Sequence, residues 1–129
     1  MSGPHILVVD DSAVMRASIK FTLEQKGCRI TEANDGRHGL EQLRGMAESG
    51  DRVVMILTDV NMPNMDGITF IKNVKKTSFK FVPILVLTTE AMETKKAEGK
   101  KAGAAGWLVK PFEEDQLIAV VKRFVRELA

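Results

Sequence analysis

Five short apolar runs rich in branched residues punctuate the chain: "HILVV" (5–9), "CRITEA" (28–33), "VVMILT" (53–58), "PILVLT" (83–88) and "GWLV" (106–109). Four are nearly continuous rather than alternating, the pattern of strands covered on both faces. The second carries Arg29, Thr31 and Glu32 and suits a sheet edge. Between the runs, apolar residues recur at helical spacing: Met15, Ile19 and Leu23; Leu40, Leu43 and Ala47; Phe70, Ile71 and Val74; Leu117, Val121, Phe124 and Leu128. The last stripe opens with Glu113, Glu114 and Asp115 and closes with Lys122, Arg123 and Arg126, as the helix dipole favours. The stretch from Ala91 to Lys101 is the poorest helix. It has few apolar residues, and Gly99 costs about 1 kcal/mol relative to Ala. Strand alternating with helix five times predicts an α/β domain: a parallel sheet with helices on both faces.

Composition changes this picture little. The 129 residues fit one domain with one core, 44% hydrophobic and 28% charged. With 5% aromatics and no tyrosine, the core rests on Val, Ile, Leu, Met and Ala. A net charge of +2 without a groove-reading motif gives no case for nucleic-acid binding. Cys28 is the only cysteine. It excludes an internal disulfide, fits a reduced cytoplasmic setting, and reads as a small core residue. The start, "MSGPHILVVDD", has neither a signal-peptide pattern nor a membrane span. No linker or second domain is evident. His5 and His38 are far apart, and nothing near either completes a metal or catalytic set.

The chemistry lies just past the end of each strand, because ligands of open parallel sheets sit beyond the strands' carboxyl ends. Asp10 and Asp11 come after the first run, Asp59 after the third within "TDVNMPNMDG", Thr88 and Thr89 at the end of the fourth, and Lys110 after the fifth. Singly these are helix caps, turn formers or solvated charges. Jointly, every strand but the edge one aims a charged or hydroxyl side chain at one rim. Three crowded carboxylates repel one another unless a cation is present. Hard oxygen ligands that leave room for water and phosphate suit Mg²⁺, and a nearby lysine and hydroxyl suit a phosphoryl group. The assembly supports phosphoryl transfer to a carboxylate.

"VVDDS", "TDVNMPNMDG", Thr88 and "KPF" occur in the order and spacing that resemble the receiver domain of two-component response regulators, over essentially the whole chain. The resemblance implies a flavodoxin-like (βα)5 fold with strand order 2-1-3-4-5. It implies a single receiver domain over 1–129 with no output domain. Asp59 is then the phosphoacceptor. Asp10, Asp11, Asp59 and the backbone carbonyl of Asn61 hold Mg²⁺. Thr88, Thr89 and Lys110 contact the phosphoryl group, Thr88 and Trp107 form the switch, and the bond before Pro111 is cis. Two positions depart from the family's habit: Trp107 stands where Tyr or Phe is usual, and Thr89 where Ala or Gly is common.

Within the family, "DDSAVMR" with Asn61 and Glu90 resembles the stand-alone chemotaxis regulators of the CheY type. That implies a histidine kinase as phosphodonor, a flagellar motor switch protein or other target on the face of the fourth helix, fifth strand and fifth helix, and a phosphatase. Lys95, Lys96, Lys100 and Lys101 read there either as a solvated face or as a basic docking patch. A phosphate sink or relay intermediate is the alternative within the family. A haloacid-dehalogenase-type phosphatase would carry its nucleophile after the first strand in an Asp-x-Asp pattern. A flavodoxin-type electron carrier would need a Ser/Thr/Gly-rich phosphate loop there, where this chain has Asp10 and Asp11. The reading is therefore a phosphoacceptor that assists its own phosphorylation and dephosphorylation, not an enzyme.

Overall fold

The computed structural model describes residues 3–126 and residue 128. Its elements alternate as the apolar runs predict: β1 (His5–Val9), α1 (Ala13–Glu24), β2 (Arg29–Ala33), α2 (Gly36–Ser49), β3 (Met55–Thr58), α3 (Gly67–Val74), β4 (Ile84–Thr88), α4 (Glu93–Ala102), β5 (Gly106–Val109) and α5 (Glu114–Lys122). All strand pairs are parallel, and the sheet order is β2-β1-β3-β4-β5.

The near-continuous runs reflect two cores, one on each face of the sheet. Leu7, Val9, Ile56, Ile84 and Val86 point to one side and pack with Leu43 and Met46 of α2 and Phe70, Ile71 and Val74 of α3. Ile6, Val8, Met55, Leu57, Leu85 and Leu87 point to the other and meet Ile19 and Leu23 of α1 and Leu117 and Val121 of α5. Odd and even strand positions thus divide by the twofold periodicity of a strand. Each fully buried aliphatic side chain contributes about 1.5–3 kcal/mol of transfer free energy. β2 is an edge strand and only half-buried apart from Ala33, which accounts for its polar residues. Cys28 is buried in the second core, and burial raises its thiol pKa, so it is an inert packing residue.

Helix starts are set by local caps. The Ser12 hydroxyl accepts from the Met15 N–H (3.2 Å), the Asp35 carboxylate from His38 N–H (2.8 Å), and Asp66 from Thr69 N–H (2.9 Å). At α5, Glu113 N–H donates to the Gln116 side chain at 2.7 Å, one half of a capping box. Two stripes need correction. In α2 the buried position is Met46, not Ala47, which is exposed. In α5 the helix ends at Lys122. Phe124 is 37% exposed, while Val125 is 2% exposed. Arg123 and Phe124 bond back to Val120 and Val121, an i−3 spacing tighter than the α-helix. That tighter turn rotates Phe124 outward and brings Val125 onto the core.

Candidate functional site

Strand pairing sets the rim. Val9 and Thr58 are in register, so the next residues, Asp10 and Asp59, leave the sheet side by side. Asp59 N–H donates to the Val9 carbonyl at 3.0 Å. On the neighbouring pair, Thr88 and Val109 are in register, and Lys110 N–H donates to the Thr88 carbonyl at 2.7 Å. The helix-cap role open to Asp10 and Asp11 falls instead to Ser12, which frees both carboxylates for the rim.

Asp10, Asp11 and Asp59 each present a carboxylate oxygen within 4.8 Å of the others; Asp10 is buried and Asp11 exposed. Lys110 Nζ donates to Asp10 Oδ2 at 2.6 Å and to Asp59 Oδ2 at 3.2 Å. Asp10 Oδ1 accepts from Ser12 N–H at 2.8 Å, and Asp59 Oδ1 from Val60 N–H at 2.6 Å, with Asn61 N–H at 3.4 Å. Burial acts most strongly on Lys110 and lowers its pKa. The Asp10 hydrogen bond and the charges of Asp59 and Asp10 together outweigh it, and the pKa stands above the ordinary lysine value. The lysine is therefore held as a cation.

The peptide from Lys110 to Pro111 is cis. Gly67 is required by close approach: a β-carbon there would lie 2.0 Å from the Asp59 carbonyl oxygen. Its N–H donates to the Val60 carbonyl at 2.8 Å. The "MPNMDG" turn thereby folds back and fixes the backbone of Asp59.

The other candidates separate. Thr88 is fully buried, and its hydroxyl oxygen accepts from Glu90 N–H at 3.3 Å. Thr89 is exposed and has no hydrogen bond among the described residues. Asn61 is exposed on the loop two residues past Asp59. Trp107 is half-buried, and its indole N–H donates to the Glu90 carbonyl at 2.8 Å. Thr88 and Trp107 thus hold opposite polar groups of the same residue.

Sequence reasoning missed several positioning residues. Arg16 donates to the Asp10 carbonyl and pairs with Glu32 at 3.0 Å, bracing the loop that carries the two aspartates. Asn64, at φ 67°, donates to Asp35 Oδ2 at 2.7 Å, tying the turn after Asp59 to the start of α2. Arg16 lies one helical turn after Ser12, the only local signal it offered. The histidines lie outside the cluster: His5 meets Thr31 (2.7 Å) and Asp51 (3.3 Å), and His38 accepts from Asn34 N–H (3.1 Å).

Three carboxylates against one ammonium leave net negative charge at a rim with an exposed edge. That donor set fits a hard divalent cation such as Mg²⁺, which prefers oxygen ligands and retains water.

Fold and rim define a doubly wound α/β protein with an acidic, lysine-bridged site where the strand order reverses. The family model for the response regulator receiver domain matches residues 6–122, and the chain belongs to that family. Receiver domains bind Mg²⁺ at an acidic pocket and take their phosphoryl group from histidine kinases. The chain is 42% identical to the chemotaxis protein CheY4 of Vibrio cholerae, whose solved structure superposes with a TM-score of 0.88 over 96% of this chain and 100% of that one. It is 40% identical over 108 residues to the chemotaxis protein CheY1 of Helicobacter pylori, covering 83% of this chain and 85% of that one. The receiver domain of sensor histidine kinase PA1611 of Pseudomonas aeruginosa is 28% identical with a TM-score of 0.81, over 95% of this chain and 98% of that one. Its structure holds a magnesium ion in the active-site cleft. Two longer relatives are each 36% identical. The chain spans 15% of the sensor histidine kinase CheAY of Helicobacter pylori and 57% of the transcriptional regulatory protein FixJ of Bradyrhizobium diazoefficiens. None of the described helices is long and apolar enough to cross a membrane.

Proposed function

We propose that the chain is a chemotaxis response regulator that accepts a phosphoryl group on Asp59 and changes its affinity for a flagellar motor switch protein. The observation that carries the reading is the cluster of Asp10, Asp11 and Asp59 bridged by Lys110. An Asp59 carboxylate oxygen attacks phosphorus on the kinase's phosphohistidine. A P–O bond forms, the P–N bond breaks, and its electron pair leaves with the imidazole nitrogen. Lys110, held protonated, keeps a positive charge beside the oxygen where phosphoryl charge arrives. Mg²⁺, held by Asp10, Asp11, Asp59 and the Asn61 carbonyl, supplies further charge neutralisation when bound. The chain serves as a phosphoacceptor in the cytoplasm and does not turn over an external substrate.

The switch reading rests on Glu90. The Thr88 hydroxyl accepts from its N–H, so the hydroxyl proton is free to donate to a phosphoryl oxygen. Moving toward that oxygen releases the β4–α4 loop from Thr88, while Trp107 still holds the loop by the Glu90 carbonyl. α4 follows the loop. A coupling of about 1–3 kcal/mol changes partner affinity about 5- to 150-fold. The chemotaxis names of CheY4 and CheY1 support a role in chemotaxis, and the motor is proposed there as the target, over a phosphate-sink or relay role.

The test is incubation with Mg²⁺ and acetyl phosphate. Wild type gains a hydroxylamine-sensitive phosphate and its tryptophan emission shifts; Asp59→Asn does neither. Uptake by Asp59→Asn removes Asp59 as acceptor, and an unchanged emission removes Trp107 from the switch. Capture of a histidine phosphotransferase, and not of a motor component, by the phosphorylated form would establish the relay role instead.

A further inference from the structure

Each helix starts near the carboxyl rim and runs back, so the C-terminal ends of α3 and α4 lie toward the opposite edge. Between them is a groove of about 640 Å³ lined by Lys72, Lys75, Lys76, Glu98, Lys101 and Ala102. Among the described residues, none of these four lysines forms an ion pair. The one carboxylate of the lining, Glu98, is engaged by Lys95 at 3.5 Å. Lys75 is half-buried and its Nζ donates to the Lys80 carbonyl at 3.0 Å. Its stem lies over Gly103, where a β-carbon would come within 2.7 Å of it, so the stem spans the gap between the two helix ends. Lys80, whose carbonyl takes the Lys75 bond, holds its Nζ 5.3 Å from the ring of Phe81, which is 87% exposed.

A net charge of +2 for the whole chain makes four uncompensated lysines in one groove a local concentration. Helix C-termini favour a cation in the last turn, which accounts for Lys72 and Lys101. Lys75, the C-cap of α3, is accounted for by its bond to the Lys80 carbonyl and its packing over Gly103; Lys76, one residue further on, has no such account. We propose that the α3–α4 groove docks an extended acidic segment of a partner protein, with several Asp or Glu side chains for the lysines and one apolar side chain for Phe81. The chemistry separates this from a phosphate ligand. The groove offers no arginine fork and no helix N-terminus, the two features that hold a compact phosphate in fixed geometry. Lysines on long stems meet spaced carboxylates instead. The groove shares α4 with the α4–β5–α5 face but uses the side of that helix turned to α3, and the proposal stands independently of the phosphoryl chemistry.

The experiment is an amide chemical-shift titration of the whole chain with a short synthetic peptide rich in Glu and Asp and carrying a central Leu. Shifts are expected at residues 72–76 and 98–103. The Lys72→Glu/Lys101→Glu variant should lose about tenfold in affinity or more, and Phe81→Ser should weaken binding further. Lys26→Glu/Lys122→Glu, the same charge change elsewhere, should bind as wild type does. Unperturbed spectra of the free variants establish that they are folded. Equal losses in both charge-reversal variants, shifts centred on Lys96 and Lys100, or pyrophosphate or a single-stranded oligonucleotide occupying the groove more tightly than the peptide would each overturn the proposal.

Discussion

The indole of Trp107 lies so close over Gly99 of α4 that a β-carbon at position 99 would sit 2.6 Å from its Cζ3. The glycine that weakens α4 locally is the clearance that lets the ring pack between β5 and α4 and reach the Glu90 carbonyl. Gly99→Ala gains about 1 kcal/mol of helix propensity and loses about 1–3 kcal/mol by displacing the ring. The expected result is a lower urea midpoint together with red-shifted tryptophan emission. A more stable variant with unchanged emission would show that the ring is not seated on Gly99.

Asp11 is the exposed member of the carboxylate cluster. Asp11→Asn removes like-charge repulsion and one oxygen ligand. Without divalent metal the variant should melt a few degrees higher, about 3 °C. Wild type should gain stability on addition of Mg²⁺, about 1.4 kcal/mol at tenfold excess over Kd; the variant should gain little. Melts in EDTA and in MgCl2 decide it, and an equal Mg²⁺ response in both proteins would remove Asp11 from the ligand set.

Lys110 bridges Asp10 and Asp59. Lys110→Met leaves the buried Asp10 carboxylate unpaired and should cost about 3 kcal/mol, with Mg²⁺ restoring more stability to the variant than to wild type. Burial lowers the Lys110 pKa, but the Asp10 and Asp59 carboxylates raise it by more. Its stabilisation is therefore fully present below the ordinary value of 10.5 and is lost as pH rises through the higher folded value. Urea unfolding of both proteins should show a gap that is constant near neutrality and narrows only in that alkaline range. A gap that closes below about pH 9 contradicts the pairing.

Asp35 caps α2 and accepts from Asn64. The His38 N–H bond is the main reason its carboxyl titrates below the usual carboxylate value, with the Asn64 bond next. Asp35→Ala should cost about 1–2 kcal/mol at neutral pH. Because the folded pKa is depressed, the contribution is present above 3.8 and is lost as pH falls through the folded value. The difference between wild type and variant should hold from about pH 7 to pH 5 and shrink at about pH 3 and below. A difference independent of pH would mean that the charge plays no part in the cap.

Much of the fold and the rim was legible in the chain. Near-continuous runs meant strands covered on both faces, and the residues after β1, β3 and β5 marked the rim. Those features are local: strand periodicity and chain polarity determine which side chains leave the sheet, and where. Tertiary structure decided the rest. The lysines of α4 read as one patch, yet Lys95 and Lys96 pair with Glu98 and Glu93, Lys100 lines a pocket beside Trp107, and Lys101 faces the α3 groove. Helix rotation against its neighbours sets those directions, and a polar helix such as α4 carries no apolar stripe from which to read it. Phe124 and Ala47 left their expected stripes because a tightened final turn and the packing of Met46 outweighed the ideal repeat. Gly99 belongs with them: in sequence a glycine shows only its conformational cost, and its use depends on which side chain the fold brings against it.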